Sequence, residues 1–271
     1  MNKTSCFKGL KGYIKENKST FVFYVILRSL VIFALAISLV RKDFESAFVC
    51  ALSLILFIVP AFIEKNFGIN IPSTLEIIIL LFIFAAEILG EIACYYIKFP
   101  YWDTILHTLN GFICAAIGFS LVDIFNRNEK FKIELSPLFL AIVAFCFSMT
   151  IGVLWEFFEF FCDLFLGTDM QKDFIINNIS TVLLDPTKSN TCVVIKDITD
   201  TAINGESLGI NGYIDIGLID TMKDLLVNFV GAVIFSIIGY FYVKSSVKNK
   251  FAKKFIPTIR EKENLNDTKD E

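Results

Sequence analysis

The chain has 271 residues, of which 55% are apolar and 20% charged, with 30 Phe and a mean hydropathy of +0.64. That composition excludes a soluble globular domain and points to a membrane protein. The net charge of −3 carries little information by itself, because acidic and basic residues are segregated along the chain.

A bilayer core needs about 20 apolar residues per helix, and stretches of that length recur six times. They lie at Thr20–Val40, Phe44–Ile63, Pro72–Phe99, Asp103–Phe125, Pro137–Gly167 and Asp220–Val243. Each is continuously apolar rather than alternating, so helices are expected and not barrel strands. The first stretch, with lysines before it and Ala34-Leu35-Ala36 within it, also has features of a secretory signal. It continues to Val40, however, which is long enough to span.

The expected fold is therefore an all-α membrane protein, a six-helix transmembrane bundle. A basic N-terminus (1–19) precedes the membrane domain (20–243), and a tail (244–271) follows it. Segments placed inside by an internal N-terminus hold 17 of the 25 Lys and Arg residues, against six outside, so both termini are expected to be cytoplasmic. The expected location is the bacterial plasma (inner) membrane. A connection of about 50 residues, 168–219, separates the last two spans and forms the expected extracellular loop. Its β-branched runs and glycines predict short strands or a small cap over the outer face. The tail is basic, then acidic and polar, which predicts a segment near anionic lipid followed by disorder. Seven scattered cysteines, with only Cys192 in the external loop, give no disulfide framework.

Four of the spans carry ionisable or amide side chains at helical spacing. These are Glu87/Glu91, Asp103/His107/Asn110, Glu156/Glu159/Asp163 and Asp220/Asp224/Asn228. At 100° per residue each set falls within about 80° of one helix face, and a rise of 1.5 Å per residue puts all of them in the outer half of the membrane. Polar groups in a bilayer are costly and usually face an interior or a watery cavity. One such stripe is ordinarily an interhelical hydrogen bond. Four at one depth would repel unless they bind a cation, share protons or open to water.

His107 is the only histidine. Imidazole beside carboxylates suits Zn²⁺, Mn²⁺ or Fe²⁺, and Asp103 one turn earlier could orient the ring. The expected ligand set is His107, Asp103, Glu156 and Asp224, with Glu156 and Glu159 as candidate catalytic carboxylates. Glu87, Glu91, Asn110, Asp163, Asp220 and Asn228 are supporting polar groups. Trp155 reads as an aromatic packing residue or interface anchor, and the Phe157-Phe158 and Phe160-Phe161 pairs as lipid- or core-facing packing.

The patterns Asp103-x3-His107-x3-Gly111, Trp155-Glu156-x2-Glu159 and Asp220-Thr221-x2-Asp224-x3-Asn228-x2-Gly231-Ala232 resemble the YjdF-like family of bacterial inner-membrane proteins. They are similar, more distantly, to the VanZ-like family associated with teicoplanin resistance. The resemblance covers roughly residues 72–240 and leaves the first two spans aside. It implies a membrane protein without a settled activity, and through the VanZ-like relatives an association with the cell envelope or glycopeptide-type ligands. VanZ-like sequences often carry an Arg shortly before the last Asp motif, and the external loop here has none.

The leading functional expectation is a membrane protein whose outward-facing acidic and His pocket binds a cation, an envelope lipid or a lipid-linked or glycopeptide-type ligand. A metal-dependent hydrolase acting on lipid or lipid-linked head groups comes second, and a cation- or proton-coupled transporter third. The bilayer is the expected partner. Nucleic acid is not, because the basic clusters are juxtamembrane.

Overall fold

The computed structural model describes residues 18–126, 135–244 and 254–259. The chain divides into two compact units, residues 152–226 and the remainder.

In the larger unit, α1 (Lys18–Arg41) turns through Lys42, whose φ is 60°, into α2 (Phe44–Leu56). Asp43 caps α2 by accepting the Ser46 amide at 3.1 Å. Pro60 has no N–H to continue the ladder, and the helix is interrupted at Phe57 and Ile58 before α3 (Val59–Phe67). Gly68, at φ 63°, ends it in the left-handed conformation. Strand β1 (Ile69–Asn70) and Pro72 then lead to α4 (Ser73–Ile83).

A single helix was expected over 72–99, and here the structure differs. From Phe84 to Ile92 the backbone widens into a π-helix, closed by the Ala93 amide on the Ile88 carbonyl at 3.0 Å. Cys94 (φ 59°) then breaks the helix, and α5 (Tyr95–Lys98) is one turn long. The Trp102 indole fills the irregularity by donating to the Ala85 carbonyl at 3.3 Å. Hydropathy reads this stretch as one span because apolarity continues through the break.

Three long helices follow: α6 (Trp102–Asn126), α7 (Pro137–Leu166) and α8 (Leu218–Lys244). Among the described residues, five helices are long and apolar enough to cross a membrane: Thr20–Arg41, Phe44–Asn66, Trp102–Asp123, Pro137–Leu166 and Leu218–Lys244. They match five of the six expected spans to within a few residues.

Two clusters form the core of the larger unit. Leu27, Val31, Cys50, Phe57, Leu80 and Ile83 join α1, α2 and α4. Ala115, Ala116 and Phe119 meet Leu140, Ala144, Ala232 and Phe235. The second cluster includes Phe255 and Ile256, from beyond the end of α8. The Phe255 ring stands edge-on to Phe112 at 5.4 Å, and β8 (Thr258–Ile259) pairs antiparallel with β1. The apolar Phe255-Ile256-Pro257 run lies within the tail and gains hydrophobic stabilisation from this burial. The predicted termini otherwise fall mostly outside the described residues, at 1–17, 245–253 and 260–271.

The smaller unit holds the last turns of α7, the first turns of α8 and a cap between them. Three two-stranded pieces build the cap. Strand β2 (Ile175–Ile176) pairs with β7 (Tyr213–Ile214), β3 (Ile179–Thr181) with β4 (Val193–Ile195), and β5 (Ala202–Ile203) with β6 (Glu206–Ser207). Carboxylates tie the pieces together. Asp163 accepts from the Thr168 hydroxyl and the Met170 and Gln171 amides at 2.6–2.8 Å, reversing the chain after α7. Asp215 accepts from the Phe174 and Ile219 amides at 2.7 and 2.8 Å and so starts α8.

Candidate metal and ligand site

In the larger unit the site is built on α6 and the later turns of α8. Close approach of these helices is set by glycine: a Cβ on Gly111 would overlap the backbone carbonyl of Asn228, and one on Gly231 that of Thr108. With the backbones this near, the Asn110 amide donates to Asn228 Oδ1 at 3.2 Å. Asn228 is fully buried, and its own amide points at the Met149 sulfur at 3.6 Å. Ser148 donates to the Gly111 carbonyl at 2.8 Å, bringing α7 into the same layer. Asn110 and Asn228 are therefore an interhelical lock.

One turn before Asn110 sits His107, which is buried. Its Nε2 lies 3.4 Å from Asp103 Oδ1, another turn back. Asp103 occupies the first turn of α6, where the helix dipole favours a negative charge.

The smaller unit, taken by itself, contains four buried carboxylates, Glu156, Glu159, Asp220 and Asp224. Trp155 donates its indole N–H to Glu159 Oε1 at 2.8 Å, one turn along α7. Asp220 accepts the Lys172 amide at 2.8 Å, and the neighbouring Thr221 hydroxyl accepts from Gln171 at 2.6 Å, so the cap is bonded to the start of α8. The rings of Phe157, Phe158, Phe160 and Phe161 are exposed, as expected for lipid-facing groups.

The expected residues thus separate by role. His107, Glu156, Glu159, Asp220, Asp224 and Asn228 are buried, and Asp103 and Asn110 are partly so. Asp163 is taken up in bracing the chain reversal. On the π-helix, Glu87 is half-buried and Glu91 is exposed. Sequence reasoning missed Ser148, Met149 and the bond from Trp155. The last was legible as an i, i+4 donor to Glu159, whereas Ser148 and Met149 gain meaning only from the packing of α7.

Long apolar helices with an interior polar layer define a multi-pass helical membrane protein. The chain belongs to the family described as "Predicted membrane protein (DUF2238)", the YjdF-like family, whose model matches residues 23–245. The match takes in the first two spans as well. The chain is also similar to an uncharacterised protein of Thermotoga maritima, at 29% identity over 104 residues, covering 38% of this chain and 52% of that protein. The aligned region thus spans about half of the relative's length. No solved structure matches.

Proposed function

We propose that Asp103, His107 and Asp224 hold a divalent cation (Zn²⁺, Mn²⁺ or Fe²⁺), with Glu156 as a further ligand. The loaded site would bind an envelope lipid or a lipid-linked or glycopeptide-type head group at the outward face of the bacterial plasma membrane. The observation that carries this reading is the 3.4 Å between His107 Nε2 and Asp103 Oδ1. An ordinary N–H···O hydrogen bond is shorter, about 2.9 Å. Two donors each 2.0–2.1 Å from one tetrahedral ion stand about 3.3 Å apart.

Helix register supports the third ligand. The lock between Asn110 and Asn228 fixes α6 against α8, and Asp224 precedes Asn228 by one turn of an uninterrupted helix, as His107 precedes Asn110. The three side chains supply the donor types, one imidazole and two carboxylates, that such an ion takes. Mixed imidazole and carboxylate donors fit a borderline divalent metal better than Ca²⁺ or Mg²⁺.

A second reading, metal-dependent hydrolysis of a lipid or lipid-linked head group, draws on Glu159. Its hydrogen bond from Trp155 would hold it in place as a general base toward water, and a bound ion would supply Lewis acidity. The deciding experiment is metal analysis of the purified protein, wild type beside His107→Ala. About one ion per chain, lost in a variant that melts at the wild-type temperature, is the expected result. Equal metal content in the two proteins would end the proposal.

A further inference from the structure

The β3–β4 hairpin stands out from the cap. It is only three residue pairs long, and a free-standing hairpin of that size is marginal in water. Both of its faces nevertheless carry exposed apolar side chains, Val194 on one and Ile195 on the other. Just past β3, the run Val182-Leu183-Leu184 is exposed as well, with Leu183 at 90%. This run is not floppy. Asp185, directly after it, is buried and gathers the Thr187, Ser189 and Thr191 amides at 2.9–3.0 Å, which holds the following turn in one shape.

We propose that Val182–Leu184 inserts into the interfacial layer of the membrane, in the leaflet where α7 ends. This surface is independent of the metal reading. Lipid is favoured by continuity: both attachments of the cap are helix ends whose last or first side chains, Leu166 and Leu218, are themselves mostly exposed and apolar. Exposed apolar side chains thus stand at both points where the long helices hand over to the cap. Charge plays no part in the attraction, since 168–219 carries seven acidic residues against three lysines. Insertion is accordingly hydrophobic and insensitive to lipid charge.

The test places a tryptophan at the tip, Leu183→Trp, in the full chain reconstituted into phosphatidylcholine vesicles, with and without lipid brominated high in the acyl chain. Asn204→Trp, on the turn between β5 and β6, serves as the comparison. The added Leu183→Trp emission is expected to be blue-shifted, to lose most of its intensity to brominated lipid and to resist aqueous acrylamide. Adding anionic phosphatidylglycerol should change none of this, while Asn204→Trp should respond to acrylamide. Acrylamide quenching of Leu183→Trp would show a tip in water and overturn the proposal. Shielding from both quenchers would also overturn it, since the tip would then be covered by protein, a second copy of this chain included.

Discussion

At the scale of single residues, the hydrogen bond from Trp155 to Glu159 makes a separable contribution. Trp155→Phe keeps an aromatic ring at the lipid-facing surface and removes only the donor, leaving one oxygen of a buried carboxylate without it. The expected loss is about 1–2 kcal/mol, read as a lower melting temperature of the detergent-solubilised protein. Two carboxylates of the cap respond to pH in opposite senses. Hydrogen bonds from Thr187, and then from the Thr191 and Ser189 amides, hold Asp185 well below the usual carboxylate range. A depressed folded-state pKa adds stability above the unfolded value and loses it as pH falls through the folded one. The turn at 185–191 should therefore keep its amide protection at mildly acidic pH and lose it only in strong acid. Asp185→Asn should raise hydrogen exchange there at neutral pH. Asp173 is shifted upward by burial and by the charges of Asp169, Asp215 and Asp163. Its ionisation opposes folding, and protonation in mild acid removes that cost.

Among elements, the contact of α6 with α8 is the least tolerant. The obstacle at Gly111 and Gly231 is backbone, which has no rotamer to escape into, whereas at Gly118 it is the Phe147 side chain. Gly111→Ala and Gly231→Ala should each cost about 2–3 kcal/mol or more, with Gly118→Ala milder. Because the same contact sets the lock between Asn110 and Asn228, the two severe variants should also lose bound metal under the proposed function. Melting curves and metal content measured together check both. The π-helix at 84–92 belongs to this scale too. Its Ala85 carbonyl accepts the Trp102 indole N–H, so the connection into α6 is fastened by a side chain rather than by helix continuity.

For the whole molecule, hydropathy made most of the helical framework legible, since length and apolarity are the properties that a bilayer selects. It did not reveal the interruption at Phe84–Cys94, because a π-turn and a left-handed cysteine change geometry without changing polarity. Nor did it reveal the return of Phe255 and Ile256, a short run whose burial depends on partners from several helices, Phe112 and Phe119 among them. At the site, helical spacing singled out His107, Glu156, Glu159 and Asp224, which are buried, and Asp103, which is partly so. Asp163, expected as a supporting polar group, accepts from the chain reversal at Thr168–Gln171, and the stripe of Glu87 and Glu91 was drawn with an α-helical angle through a segment that is π-helical. The locks made by Ser148 and Met149 had no sequence signal, because each needs the approach of a helix remote in sequence.

The Phe255-Ile256 insertion also bears on the order of assembly. These two residues are synthesised after every membrane-crossing helix, yet they sit against Phe112 and alongside Phe119 and Phe235. During biosynthesis that aromatic layer thus waits, incompletely covered, until residues 255 and 256 leave the ribosome. A bulky fusion placed directly after Ile259 would press on a strand already engaged with Ile69–Asn70, so a reporter at that end would interfere with the structure it is meant to follow.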